Sequence, residues 1–254
     1  MTDSDEHTLT VTDALRRLEP SLPGSVRYRL ENSLDHIERA SRLFDIDREM
    51  ASFRAITGEE EASTALIKAI QLRGYEHARE FNPRNHVHKA AVMACVDAVT
   101  TSMIPILGEF QLIFNFDRSR IDVKIPLSAF GVDGDFAIQP VEPLGFVHSR
   151  PGIKERNLYD DVLYGLAEKA SFDGIKKMVF AVANARNGLL YASDSALPRS
   201  QATREAIRSR ERRALTMLVL SVMVLQTRDH LPTVREATLA FLSIISRLPE
   251  DDGT

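Results

Sequence analysis

The 254-residue sequence has a single cysteine, no long hydrophobic run and no excess of basic charge. The one cysteine, Cys95, excludes an internal disulfide and a cysteine-rich metal site, and it is compatible with a reducing compartment. The 32 Lys and Arg residues are outnumbered by 36 Asp and Glu residues, which gives a formal charge of -4. A protein that coats nucleic acid is normally basic, so any contact with nucleic acid must depend on a local patch.

The longest apolar run covers residues 214–225 and is shorter than the roughly 20 residues that a membrane-spanning helix needs. Charged residues flank it, so we expect a helix that is buried on nearly all sides and no contact with a membrane. The first seven residues are acidic and polar, unlike a secretory signal. The expected location is therefore the cytoplasm.

Apolar residues recur at three- and four-residue spacing through much of the chain, which is typical of helices. A short break at residues 45–47 separates the first two predicted helices, and Gly74 is a plausible end for the second. A second break is expected at residues 171–174. The predicted helices cover residues 24–44, 48–73, 85–103, 158–191, 201–225 and 233–248.

The spacing changes to an alternating pattern near Pro105, which indicates strands. Residues 110–116 and 121–125 alternate on either side of a polar turn, and Phe136 and Ile138 suggest a third strand. Two or three strands are marginal alone, so this sheet needs a helix or a partner against one face. We predict a mainly α fold, a helical bundle with a small antiparallel β-hairpin insertion. Its parts are residues 1–107, the insertion 108–150, and residues 151–254, which complete the bundle.

Two charged residues fall inside apolar stripes of predicted helices. Glu60 lies in angle between Phe53 and Ile67, and Arg186 lies among the apolar residues of 176–191, with Asn187 a quarter-turn away. A buried charge needs a partner. We expect Glu60 and Arg186 to pair if their helices pack together; otherwise their long stems carry both charges to water at the edges of the stripes.

A cluster of basic and polar side chains occupies the start of the third predicted helix, at Arg84, Asn85, His86, His88 and Lys89. A helix N-terminus already favours anions, and histidine can transfer protons near neutral pH. The two histidines are two residues apart and cannot share a helix face, which disfavours a two-histidine metal site. We expect no metal and no cofactor. The alternative interpretation is a solvated helix start that Asn85 caps.

Two further segments have open interpretations. Gly188 interrupts a helical pattern, and Tyr191 and Asp194 follow near the exit, where they line the pocket of Arg84 and His86 or simply form a helix end and turn. The sequence also has one basic stretch, which predicts a solvated helix face or, less favoured, an RNA track. Its arginines are Arg204, Arg208, Arg210, Arg212 and Arg213.

Three segments together resemble the HEPN superfamily of small helical domains, and within it the abortive-infection group called AbiV. They are the Glu-Glu helix at residues 55–66, the Arg/His/Lys cluster at 84–89, and the Leu-Tyr-Ala-Ser-Asp turn at 190–194 followed by Pro198. The resemblance implies an anti-phage defence protein that cleaves RNA without a metal. It also implies a homodimer, because HEPN proteins commonly build their site across a two-fold helical interface.

The resemblance also implies roles for single residues. Arg84 and Arg186 would contact the phosphate, His86 or His88 would transfer the proton, and Glu60 would orient an arginine. The other residues expected to bind the substrate are Asn85, Lys89, Asn187, Tyr191 and Asp194.

Two other classes of function stay open. One is a binding module without chemistry, in which the insertion docks a protein partner or small effector; Tyr191, where a catalytic histidine is expected, favours this class. The other is a helical enzyme that acts on a small phosphorylated metabolite.

Overall fold

Helices account for most of the described chain, as the apolar spacing predicts. The computed structural model describes residues 9–107, 110–130, 136–145, 179–182, 189 and 199–246. The helices are α1 (Val11–Leu18), α2 (Gly24–Leu43), α3 (Arg48–Leu72), α4 (His86–Leu107), α5 (Arg204–Gln226) and α6 (Pro232–Ile245). The strands are β1 (Gln111–Asn115), β2 (Arg120–Pro126) and β3 (Ala137–Ile138). Short 3₁₀ turns lie at Glu19–Ser21, Ala78–Glu80 and Leu127–Phe130.

The ends of α3 have clear local causes. Asp47 precedes the helix, and its side chain accepts a hydrogen bond from the backbone N–H of Met50. At the other end Gly74 adopts a left-handed conformation with φ of 70°, and its N–H donates to the carbonyl of Gln71. Both ends match the prediction. In contrast, α4 continues to Leu107, beyond the predicted end at residue 103.

Helix α3 is the centre of the helical body. It packs against α2 on one side and α5 on the other, and most of its residues are buried. Glu61 and Lys68, which lie outside its apolar stripe in angle, are half-buried rather than exposed. A helix with neighbours on several sides has no fully solvated face.

Helices α2 and α3 approach closely at Gly58. The Ser33 hydroxyl donates to the Gly58 carbonyl at 2.7 Å. A Cβ atom on Gly58 would lie 3.1 Å from both the Ser33 carbonyl oxygen and Ile37 Cγ1. The absence of a side chain therefore permits this spacing between the two helices.

The three strands form an antiparallel sheet in the order β1-β2-β3, as predicted. Phe114 pairs with Ile121 across β1 and β2, and Ile121 is buried in the same core as Met217 and Leu218 of α5. The Gln226 side chain accepts from the Ile121 N–H and donates to the Ser119 carbonyl. The helix that the sheet was expected to need is α5.

The long apolar run lies within α5, and its residues are mostly buried, as expected. In the part of the chain that the structure describes, no helix is long and apolar enough to cross a membrane. The run belongs to the core instead, where Met217, Leu218 and Val222 are fully buried.

Candidate functional site

The N-terminus of α4 is capped by Asn85. Its side-chain oxygen accepts hydrogen bonds from the N–H groups of Val87 at 2.8 Å and His88 at 3.3 Å. This satisfies two of the N–H groups that a helix start leaves without partners. The predicted capping role of Asn85 is confirmed, and the cap fixes the direction in which α4 leaves the loop.

Glu60 of α3 lies against this capped end. Its side chain is 5% exposed; Oε1 lies 3.0 Å from His86 Nδ1, and Oε2 lies 3.6 Å from Lys89 Nζ. The Ser63 hydroxyl, one turn further along α3, donates to the Lys89 carbonyl at 3.1 Å. The expectation that a buried Glu60 has a partner is confirmed, and two of its partners, His86 and Lys89, are in α4.

The contact with Glu60 determines which nitrogen of His86 is available for chemistry. An ionised carboxylate can only accept a hydrogen bond, so His86 Nδ1 must carry the proton in this pair. When the ring is neutral, Nε2 then keeps its lone pair. The His86 side chain is 40% exposed, so a ligand can reach the ring. The arrangement of buried carboxylate, imidazole and nearby ammonium is suited to moving a proton.

His88 has a different environment from His86, as the two-residue spacing predicts. Its Nδ1 lies 3.1 Å from the backbone N–H of Asn82 and accepts that hydrogen bond. Burial lowers the pKa of His88, because the charged ring is poorly solvated there. Both effects favour the neutral ring with its proton on Nε2. His88 is therefore a hydrogen-bond acceptor at Nδ1 and part of the loop structure.

Arg84 is the exposed cation of this region. Its backbone N–H donates to the Asn82 side chain, which fixes the turn before α4. Within the described chain its guanidinium forms no ion pair. Asn85 alone separates Arg84, which has no ion pair within the described residues, from the half-exposed His86 in the sequence.

Sequence analysis missed the role of Glu59. This carboxylate is 1% exposed and forms ion pairs with Arg210 and Arg213 of α5. The prediction that the basic stretch is a solvated face was wrong for these two arginines, whose side chains are largely buried. It holds for Arg204 and Arg212, which are exposed and pair with Asp45 and Glu205. The only signal was the Glu-Glu doublet itself.

Four predicted site residues lie outside the described residues. They are Arg186, Asn187, Tyr191 and Asp194. The pairing of Glu60 with Arg186 therefore stays a prediction. Within the helix predicted at residues 158–191, the described residues 179–182 are helical. Val179 is buried against Val87, Ala90 and Ala91 near the start of α4.

The described residues contain no group of three or more His, Cys, Asp or Glu side chains that could hold a metal ion. Cys95 is buried in the core, as predicted, and burial raises the pKa of its thiol. A thiol held in its protonated form is a poor nucleophile. The titratable groups at the start of α4 are the stronger candidates for chemistry.

Comparisons with models of protein families, with characterised proteins and with solved structures found no match. The resemblance to HEPN proteins therefore depends on the sequence motifs alone.

Proposed function

We propose that this protein is a HEPN-like, metal-independent ribonuclease that acts in anti-phage defence, with its site at the start of α4. The observation that carries the proposal is the hydrogen bond between the buried Glu60 carboxylate and the half-exposed His86 ring. A carboxylate that fixes the tautomer of a histidine makes the other ring nitrogen a general base. Such a base is what RNA cleavage without a metal requires.

The reaction needs one proton removed and one supplied. His86 Nε2 takes the proton of the ribose 2′-hydroxyl as the 2′-oxygen attacks the adjacent phosphorus. The bond from phosphorus to the 5′-oxygen breaks, and that oxygen leaves with a proton from the protonated imidazole or from water. The products are a 2′,3′-cyclic phosphate and a 5′-hydroxyl, so no oxidant or co-reactant is consumed.

Nearby cations supply the positive charge that stabilises the negatively charged transition state. Arg84 is exposed and lies two positions before His86, and the positive end of the α4 dipole favours an anion, although Asn85 already accepts from two of its N–H groups. Lys89 lies against Glu60, where it holds the carboxylate in place rather than contacting substrate directly. In this assignment Glu60 orients His86, which differs from the arginine-orienting role that the resemblance implies.

The test is cleavage of bulk tRNA by the purified full chain in excess EDTA. We expect fragments that end in a cyclic phosphate, and His86→Gln should lower the rate about 100-fold, the usual contribution of a general base. His77→Asn is the matched control, because His77 is an exposed histidine with a left-handed backbone that asparagine tolerates. Absence of cleavage by the wild-type chain, or full activity of His86→Gln, would overturn the proposal.

The resemblance further suggests a homodimer in the cytoplasm whose toxicity is restrained until infection. Sedimentation at micromolar concentration tests the first point. Phage plaque counts on cells that express the wild-type chain or His86→Gln test the second. We expect the wild-type chain alone to lower the counts.

A non-catalytic binding module is the second candidate. Two observations favour it. His88 and Glu59 both make structural contacts, His88 with the Asn82 backbone and Glu59 with Arg210, and large apolar side chains of the sheet region are exposed. The exposed side chains are Phe110, Ile113, Phe136 and Ile138. In this case the sheet docks a protein partner, and Glu60→Gln lowers stability although the wild-type chain cleaves no RNA.

A further inference from the structure

A polar cavity lies between α4 and α5, away from the site at the start of α4. Its volume is about 240 Å³, and the polar side chains that line it are Asp97, Thr100, Ser209, Arg212, Arg213 and Thr216. Asp97 is eleven residues beyond His86 in α4, which places it about 16 Å along the helix. The cavity is therefore separate from the site of the proposed function and does not depend on it.

The α5 wall of the cavity has an excess of positive charge. Arg210 and Arg213 share the single carboxylate of Glu59, so among the described residues of this wall one guanidinium has no carboxylate of its own. Arg213 donates from Nε to Glu59 and from Nη1 to the Ser209 hydroxyl, and its Nη2 donates to no other residue of the described chain. Within the described residues Arg212 donates from Nη2 alone, to Glu205. Unused N–H groups of two arginines thus border one cavity.

The α4 wall offers hydrogen-bond acceptors. Asp97 is exposed and has no ion-pair partner in the described part of the chain. The Thr100 hydroxyl donates its proton to the Val96 carbonyl, and the Thr216 hydroxyl of α5 donates to the Arg212 carbonyl, so both oxygens remain acceptors. A simple anion would be repelled by Asp97. A ligand with an anionic end and a hydroxyl-bearing end satisfies both walls.

We propose that this cavity binds a sugar phosphate, either free or as the ribose phosphate part of a mononucleotide. The phosphate lies on Arg212 and Arg213, whose planar guanidinium groups match phosphate oxygens. The sugar hydroxyls donate to Asp97 and to the threonine oxygens. A volume of about 240 Å³ is below the usual range for drug-sized ligands, so a five-carbon sugar with one phosphate is the appropriate size.

Calorimetric titration of the full chain at constant ionic strength tests the proposal. Ribose 5-phosphate should bind about tenfold more tightly than inorganic phosphate, because only the sugar reaches Asp97. AMP distinguishes the two sources: binding as tight as that of ribose 5-phosphate indicates a nucleotide, and no binding indicates a free sugar phosphate. No saturable heat with either ribose 5-phosphate or AMP would overturn the proposal.

Three variants test whether the ligand binds in this cavity. Arg212→Met should weaken binding about tenfold, the loss expected for one charge-assisted hydrogen-bonding group. Arg208→Met, an exposed arginine one turn earlier and outside the cavity, should bind as the wild type does. Asp97→Asn should weaken the preference for ribose 5-phosphate over inorganic phosphate. Equal losses in Arg212→Met and Arg208→Met would show nonspecific charge attraction and overturn the assignment.

Discussion

Adjacent carboxylates in α3 have different partners. Glu59 pairs with arginines of α5, whereas Glu60 contacts His86 and Lys89 of α4. Consecutive residues on a helix point about 100° apart, so a doublet can reach two neighbours. The doublet therefore ties α3 to two other helices at one level.

Replacing Glu59 with glutamine should destabilise the protein strongly. Arg210 and Arg213 are only 22% and 29% exposed, so the loss of their carboxylate leaves two poorly solvated charges. We expect a decrease of about 3 kcal/mol in the free energy of unfolding, measured with urea. Glu61→Gln is the matched control: its partner Arg29 is 48% exposed, so the loss should stay below about 1 kcal/mol. Equal losses would contradict a buried network at Glu59.

His88 makes the stability depend on pH. Its pKa is lowered from 6.5 in the folded state, so the unfolded chain binds the proton more tightly. The stability is therefore highest above pH 6.5 and falls as the pH decreases through 6.5 towards the lower folded-state pKa. His88→Asn keeps an acceptor for the Asn82 N–H and does not titrate. Urea unfolding at about pH 7.5 and about pH 5.5 should show a smaller loss in the variant than in the wild type. An equal loss would rule out His88 as a source of the pH dependence.

The sequence identified the important polar residues better than it identified their contacts. Glu60, Asn85 and His86 were singled out from helix angle and cap chemistry, which are local properties. The contact between Glu60 and His86 depends on how α3 crosses α4, and 26 residues separate the two. The Glu59 network spans more than 150 residues of sequence, and no local pattern predicts it.

At the level of elements, apolar spacing and turn residues placed α2 to α6 and the three strands, but no predicted helix covers α1 (Val11–Leu18). The bounds of α2 and α3 match within one residue, since Gly74 and the 45–47 break mark their ends. The spacing did not reveal that α3 is central, because several of its buried positions are small or charged and do not stand out as apolar. Burial on many sides is a property of the assembled helices rather than of one helix.

The close approach of α2 and α3 should make Gly58 sensitive to a single methyl group. Alanine would gain about 1 kcal/mol in helix propensity, but its Cβ would press on the Ser33 backbone oxygen, which belongs to a packed helix. Overpacking costs about 1–3 kcal/mol, so we expect Gly58→Ala to lower stability by about 1 kcal/mol in urea unfolding.

Gly24→Ala is the control for Gly58→Ala. Its new Cβ would meet only the Tyr28 ring, at an ordinary distance of 3.5 Å. We therefore expect stability that is unchanged or slightly higher. A stabilised Gly58→Ala variant would show that α2 can shift to accommodate the methyl group.

At the scale of the whole molecule, the sheet and the helices share one core. Ile121 of β2 is fully buried with Met217 and Leu218, although the sequence presents the strands as an insertion between helical parts. The sequence predicted that the sheet needs a partner but not which helix supplies it. That choice depends on α5, which lies about 100 residues further along the chain.

Ile121→Ala should therefore lower the stability of the helices as well as the sheet. Truncating a fully buried isoleucine costs about 2–5 kcal/mol of stability. In urea unfolding monitored by far-UV circular dichroism, we expect one cooperative transition at a lower midpoint. Ile113→Ala is the control on β1, because Ile113 is exposed and should change the midpoint little. Separate transitions for sheet and helices in Ile121→Ala would contradict a common core.

The Glu59–Glu60 doublet makes α3 intolerant of single-residue insertions, although the composition of the helix alone would permit them. One residue inserted between Asp47 and Glu59 would turn both carboxylates about 100° around the axis relative to the capped end, so that neither meets its arginines or its histidine. A seven-residue insertion, close to two full turns, would nearly restore both directions but would move the doublet about 10 Å along the axis, away from both sets of partners. The position of the doublet relative to the capped end is therefore constrained in distance as well as in angle.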